Sequence, residues 1–163
     1  KRTYVFWAAY KGNLELVKYL IKNKARLDLK DSHNFSPLTF AAVAGQTNTD
    51  IYDLFIKNGI DIKTDVDEKG ANALLLLIGH LKDFKLVDYF INKGLNLNSK
   101  DNHGNGVFNY TAYKGNKAML ELLIKKGFSY KKLSSNGDNA ILASTIGSRS
   151  GYNPLSFIKY LEN

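Results

Sequence analysis

Asp31-Ser-His-Asn-Phe-Ser-Pro-Leu-Thr-Phe-Ala-Ala-Val-Ala-Gly45 is the stretch on which the fold turns. Asn34, three residues after Asp31, supplies the positive φ that a tight turn needs. Ser36 is a favoured N-cap, and Pro37 follows it at the first helical position, where a missing N–H costs nothing. Leu38 and Phe40 then give apolar anchors. Ala41-Ala42 is a small pair that lets a neighbouring helix approach closely, and Gly45 stops the helix.

The rest of the chain repeats this plan. Leu16-Val-Lys-Tyr-Leu20, Ile51-Tyr-Asp-Leu-Phe55, Leu86-Val-Asp-Tyr-Phe90, Met119-Leu-Glu-Leu-Leu123 and Phe157-Ile-Lys-Tyr-Leu161 all read apolar, apolar, charged, apolar, apolar. Their last residues are 35, 35, 33 and 38 positions apart. One charged residue in five leaves a wide apolar helical face. A first helix precedes each, with cap slots at Thr3, Ser36, Asn72, Gly106 and Asn139. Anchors follow at Val5, Leu38, Leu74, Phe108 and Ile141, and then Trp7, Phe40, Leu76, Tyr110 and Ala143, all read as core positions. Asn34, Gly70, Gly104 and Gly137 mark tight turns. Gly59, Gly94 and Gly127 close the second helices, with Lys24 breaking that rule. Short extended pieces such as Ile60-Asp-Ile62 predict hairpin fingers rather than sheet strands.

Turn, capped helix, second helix, glycine and finger at a period near 33 resembles the ankyrin repeat. Ser36-Pro37-Leu38-Thr39-Phe40-Ala41 is similar to its signature, and Gly12-Asn13 and Gly115-Asn116 resemble its Gly-His between helices. The resemblance implies an all-α solenoid of stacked helix-turn-helix pairs with β-hairpin fingers. It spans residues 1–163 as one domain, with repeats near 1–30, 31–66, 67–100, 101–133 and 134–163, the first and last incomplete. About ten helices in five pairs are expected. Phe6, Thr39, Leu75, Asn109 and Leu142 stand where the family usually has a buried histidine, which puts that histidine's hydrogen-bond network between units in doubt. Extra residues lie around Gln46-Thr47, around Leu81-Lys82 and within Gly147–Tyr152. Asn153-Pro154 reads as the start of the last helix.

Composition narrows the function. Hydrophobic content of 44% and charged content of 23% fit a soluble globular chain. The apolar run Ala73–Gly79 is too short to span a bilayer, and the first residues show no signal-peptide core. The chain starts without Met and in mid-pattern, which predicts a piece of something longer. With no cysteine, disulfides and thiolate metal sites are excluded. The compartment stays open, with the cytoplasm slightly favoured over the periplasm or the outside. The net charge of +8 divides into +6 over residues 1–30, −2 over 31–100 and +4 over 101–163. That is a modest asymmetry compatible with an acidic partner, without a basic stripe of the nucleic-acid kind.

No catalytic constellation stands out. His33 and His103 occupy finger slots two units apart, roughly 20 Å at the usual spacing of packed elements, too far for one ion. Asp61, Asp65, Asp67 and Glu68 lack the order of a calcium loop. Neither a phosphate loop nor a nucleophile elbow is present. The chain reads as a non-enzyme with no cofactor and no metal. A protein-interaction module is favoured. The alternatives are a polyanion or nucleic-acid binder, weakened because most lysines fall on second helices, and a regulatory arm of a larger protein.

By the resemblance, the concave side takes the residues flanking each turn and those ending each first helix. These are Tyr10, Lys11, His33, Phe35, Lys69, His80, His103, Asn105, Tyr113 and Lys114. The expected partner is a protein segment with acidic and apolar groups, bound by a monomer. The three histidines would raise its affinity below pH ~6.5.

Overall fold

A computed structural model describes residues 1–129, 135, 137, 139–149, 155, 159 and 160. Among these, the named elements are nine helices: α1 (Tyr4–Tyr10), α2 (Leu14–Lys22), α3 (Pro37–Val43), α4 (Thr49–Lys57), α5 (Ala73–Ile78), α6 (Lys85–Asn92), α7 (Val107–Tyr113), α8 (Lys117–Lys125) and α9 (Ala140–Arg149). They alternate as first and second helices of a pair, α9 being a first helix. First helices stack in one row, α1 on α3, α3 on α5, α5 on α7 and α7 on α9, with α2 against α4 behind them. The helix start expected at Asn153-Pro154 lies outside the described residues, as do Ser150–Tyr152 of the insertion and most of Phe157–Leu161.

The first helices α3, α5 and α9 begin where a short polar side chain takes up free N–H groups. The Ser36 hydroxyl accepts from Leu38 N and Thr39 N at 3.1 Å each, and Ser36 N donates to Thr39 Oγ1 at 2.8 Å. Asn72 accepts from Leu75 N and Asn139 from Leu142 N, both at 3.0 Å. Thr3 departs from the expectation: it makes no side-chain cap, and its hydroxyl is buried without a partner. The second helices α2, α4 and α8 are capped by Asn13, Asn48 and Asn116. Asn34 (φ +59°) and Gly70 (φ +78°) adopt the expected left-handed turn. Lys24, at φ +60°, takes the slot that glycine fills in later units.

The anchors lie where their spacing places them. Val5, Leu38, Leu74 and Phe108 are buried, as are both small pairs, Ala8-Ala9 and Ala41-Ala42. Leu77 and Ile78, in place of the third pair, are fully buried. In the second helices Ile51, Phe55, Phe90, Met119 and Leu123 are fully buried, while Lys18, Asp88 and Glu121 between them are exposed. Trp7 corrects the reading: it is 48% exposed, whereas Phe40 and Leu76 in the same slot are 7% and 6%. Among the described residues, α1 packs chiefly on α2 and α3.

The fingers are tighter than hairpins. Among the described residues the only β pairing is an isolated antiparallel bridge, Val66 to Asn72. An aspartate closes the first three fingers instead. One oxygen of Asp31 accepts from His33 N and Phe35 N, one of Asp67 from Lys69 N and Ala71 N, and one of Asp101 from His103 N and Asn105 N.

Leu38, fully buried between its own pair and its neighbours, gives a test of the core. Leu38→Ala is expected to lower stability by about 2–5 kcal/mol through lost burial and a residual cavity. A shift of the urea midpoint no larger than that of exposed Lys57→Ala would show that this face of α3 is misassigned.

Candidate functional site

Finger residues and first-helix residues meet on one side of the stack, and its two ends differ in chemistry. Toward the first two pairs it is aromatic and cationic. The Trp7 ring packs edge-on against Phe40 (5.7 Å between centroids, 81°) and Tyr10 (6.0 Å, 72°), and Tyr10 lies stacked on Phe40 at 5.9 Å. Phe35 extends the row from Phe40 at 6.3 Å, and His33 from Phe35 at 6.4 Å. The Arg2 guanidinium sits 4.2 Å above the Phe40 ring centre, and its Nε–H donates to Asp31 at 2.8 Å. Lys11 lies 5.2 Å over the Tyr10 ring. Four of the expected residues, Tyr10, Lys11, His33 and Phe35, therefore share one surface. Sequence reasoning left out Trp7, Phe40 and Arg2, which complete it.

Toward the fourth and fifth pairs lies a depression of about 250 Å³. Lys69, His103, Asn105 and Tyr113, all expected, line it together with Asp101, Asn109, Tyr110, Ala143 and Ile146. The second carboxylate oxygen of Asp101 accepts from Asn105 Nδ2 at 3.1 Å and from the Tyr110 hydroxyl at 3.0 Å. Burial, then the adjacent Asp101 charge, pushes the Tyr110 hydroxyl well above its ordinary range, so it stays a donor. Asn109, in a slot where the family usually has histidine, bonds only within its own unit: its Oδ1 accepts from Gly106 N at 3.3 Å, while its buried Nδ2 has no partner.

His80 and Lys114 sit instead in joints between pairs. The His80 ring presses on Gly45, where an added β-carbon would lie 2.9 Å from Nδ1. Its buried Nε2 is without a partner. Gly45 is at φ +82°, so its lack of a side chain serves both the turn and the imidazole. The Lys114 stem lies over Gly79. Burial, reinforced by the Lys114 charge, holds the imidazolium of His80 below its ordinary range, and burial lowers Lys114 likewise. His80 thus works against the expectation that all three histidines gain charge on mild acidification.

The turn aspartates show how context sets charge. Burial opposes ionisation of Asp31, but two backbone N–H groups and Arg2 outweigh it and hold the carboxyl below the usual range. In Asp67 burial wins over its backbone donors, and the carboxyl is raised. His33 reaches Glu68 of the next finger at 3.1 Å. Among the described residues, no cluster of three or more His, Asp or Glu side chains is arranged to hold a metal, and no helix is long and apolar enough to cross a membrane.

Residues 1–66, which include the whole aromatic row, match the family model of ankyrin repeats (3 copies). Comparison with curated proteins finds no match. The match over residues 1–66 and the stacked helix pairs together support an ankyrin repeat protein. Such repeats are in general protein–protein interaction modules and typically non-enzymatic scaffolds.

The His80 joint has a measurable pH signature. A histidine whose folded pKa is depressed binds fewer protons in the native state, so its contribution weakens as pH falls through its unfolded value near 6.5 and on toward the lower folded value. Stability is expected to fall between pH 7.5 and pH 5, and His80→Gln to flatten that slope. Urea midpoints across this range check it; identical slopes in the two proteins would refute the burial argument.

Proposed function

We propose that residues 1–163 act as one monomeric repeat domain that holds an extended segment of another protein against the fingers and first helices. The aromatic row of the first two pairs is the anchor. The observation carrying this is the exposure of Trp7 (48%) and Tyr10 (42%) within a cluster already fixed by ring packing. Large aromatics held rigid before binding lose little side-chain freedom when a partner arrives, and they dominate interface energies. Asp31 engages only Nε–H of Arg2, which leaves the terminal N–H groups of the fork to meet a carboxylate. The segment therefore combines a bulky apolar side chain with a nearby Asp or Glu. It continues toward Lys69, His103, Asn105 and Tyr113, where polar groups and an apolar floor fix its register. His80 and Lys114 support the face from within the joints.

Trp7 is the chain's single tryptophan, so the face carries its own fluorophore. Titration with acidic peptides bearing one Leu or Phe is expected to shift its emission. Tyr10→Ala should weaken binding by about 30-fold, the scale of an interface hot spot. Exposed Lys125→Ala on α8 should leave it unchanged. If only lysine variants lose affinity, with a steep salt dependence, the surface binds polyanions instead and this assignment fails.

A further inference from the structure

The links between the two helices of a pair are longer in the middle of the stack. Three residues join α1 to α2 and three join α7 to α8, but five join α3 to α4 and six join α5 to α6. The two long links are neighbours, because α3 packs on α5. They lie away from the fingers, since each first helix leaves a finger and each second helix returns toward one. Between them is a cavity of about 460 Å³, a size in the range of small-molecule sites.

Its lining divides by chemistry. Leu81 and Leu86, both buried, give it an apolar seat. Lys82 and Lys85 stand exposed at its rim, and Thr47 and Thr49 add hydroxyls from the preceding pair. The one carboxylate of the lining, Asp83, has an oxygen engaged by Lys85 N at 2.9 Å. Two lysines against one aspartate leave a net charge of +1 with His80 neutral.

His80 completes the lining. Gly45 lies against Nδ1, Cγ and Cε1 of the ring, so Nε2 is on the edge turned away from that glycine, buried and without a partner. Burial and the Lys114 charge both act against the imidazolium, and among the described residues no carboxylate offsets them. A buried polar nitrogen left unpaired is costly, and the cavity that the ring borders is where an acceptor can be supplied.

We infer that this cavity binds a small organic monoanion, a carboxylate on an apolar body, whose body rests on Leu81 and Leu86 and whose charge meets Lys82, Lys85 and His80. The site is separate from the face that holds a protein segment, and it draws the second and third helix pairs together through their long links.

Octanoate is the probe, followed by amide and imidazole resonances of the isotope-labelled protein. Saturable shifts are expected at Thr47, Thr49, Leu81 and Lys82, with the His80 pKa rising on binding because a nearby carboxylate favours the charged ring. Acetate keeps the charge without the body, and octanol the body without the charge; each should bind at least about tenfold more weakly. Lys82→Glu combined with Lys85→Glu, at exposed positions, should abolish octanoate binding, whereas Tyr10→Ala, on the other face, should bind it as the parent does. Equal binding of acetate marks an adventitious ion only, and equal binding of octanol marks apolar adsorption; either overturns the site. Shifts centred on Trp7 and Tyr10, or undiminished octanoate binding by the doubly substituted protein, overturn it as well.

Discussion

A single backbone hydrogen bond ties each finger to the next, and an aspartate makes it possible. The donor is the residue just after the turn opener and the acceptor lies two residues after the previous one. Glu68 N meets His33 O at 3.0 Å, Asn102 N meets Lys69 O at 2.8 Å and Ser135 N meets His103 O at 3.0 Å. In these fingers the acceptor carbonyl precedes the residue with positive φ, whose turn holds that carbonyl outward. The two N–H groups gathered by Asp31, Asp67 or Asp101 hold that turn closed. Remove the carboxylate and two backbone donors lose their acceptor, the carbonyl loses its aim, and the finger loses its tie to its neighbour.

The same device fixes where side chains point. His33, Lys69 and His103 occupy one corner of the turn, and Phe35, Ala71 and Asn105 another. The second carboxylate oxygen is free to differ: Asp31 gives it to Arg2, whereas Asp101 gives it to Asn105 and Tyr110. That difference steers the chemistry of the face. Through Asp31 it pins a guanidinium over Phe40; through Asp101 it orients a phenol and an amide around a polar depression.

Repeats, turns and second-helix cores were legible because a residue there answers to its own neighbours in sequence. A pentad with one charge in five has one way to bury its face, and Asn34 or Gly70 has one turn to make. Burial that depends on the adjacent unit was not legible. Trp7 shares a slot with Phe40 and Leu76, and nothing local distinguishes it from them. Gln46 read as an extra residue, yet its amide donates to Ala9 O at 3.1 Å across the joint and accepts from Asn48 N at 2.8 Å. Asn116 repeats the crossing, donating to Gly79 O at 3.1 Å and Leu81 O at 2.6 Å. Gln46 belongs to no recurring motif, and the recurrence of Gly12-Asn13 as Gly115-Asn116 marks a turn without naming the carbonyls across the joint. His80 likewise read as surface, because Gly45, on which it presses, stands 35 positions earlier.

A stack with only nearest-neighbour contacts separates stability from recognition more cleanly than a single closed core does. The carboxylate, the left-handed residue and the anchor leucine of a unit leave little freedom, since each satisfies buried N–H groups or fills a joint. Exposed side chains between them, such as His33 beside Asp31, can change with little effect on the core. Where one of them does engage the framework, the two roles fuse. Arg2 is the clearest case, because it neutralises the turn carboxylate, covers Phe40 and still presents donors outward. Loss of that guanidinium would expose an aromatic ring, leave Asp31 to its backbone donors alone and strip the face of a directed cation. The first finger and the aromatic row are therefore one unit physically, even though Arg2 and Asp31 lie 29 residues apart in sequence.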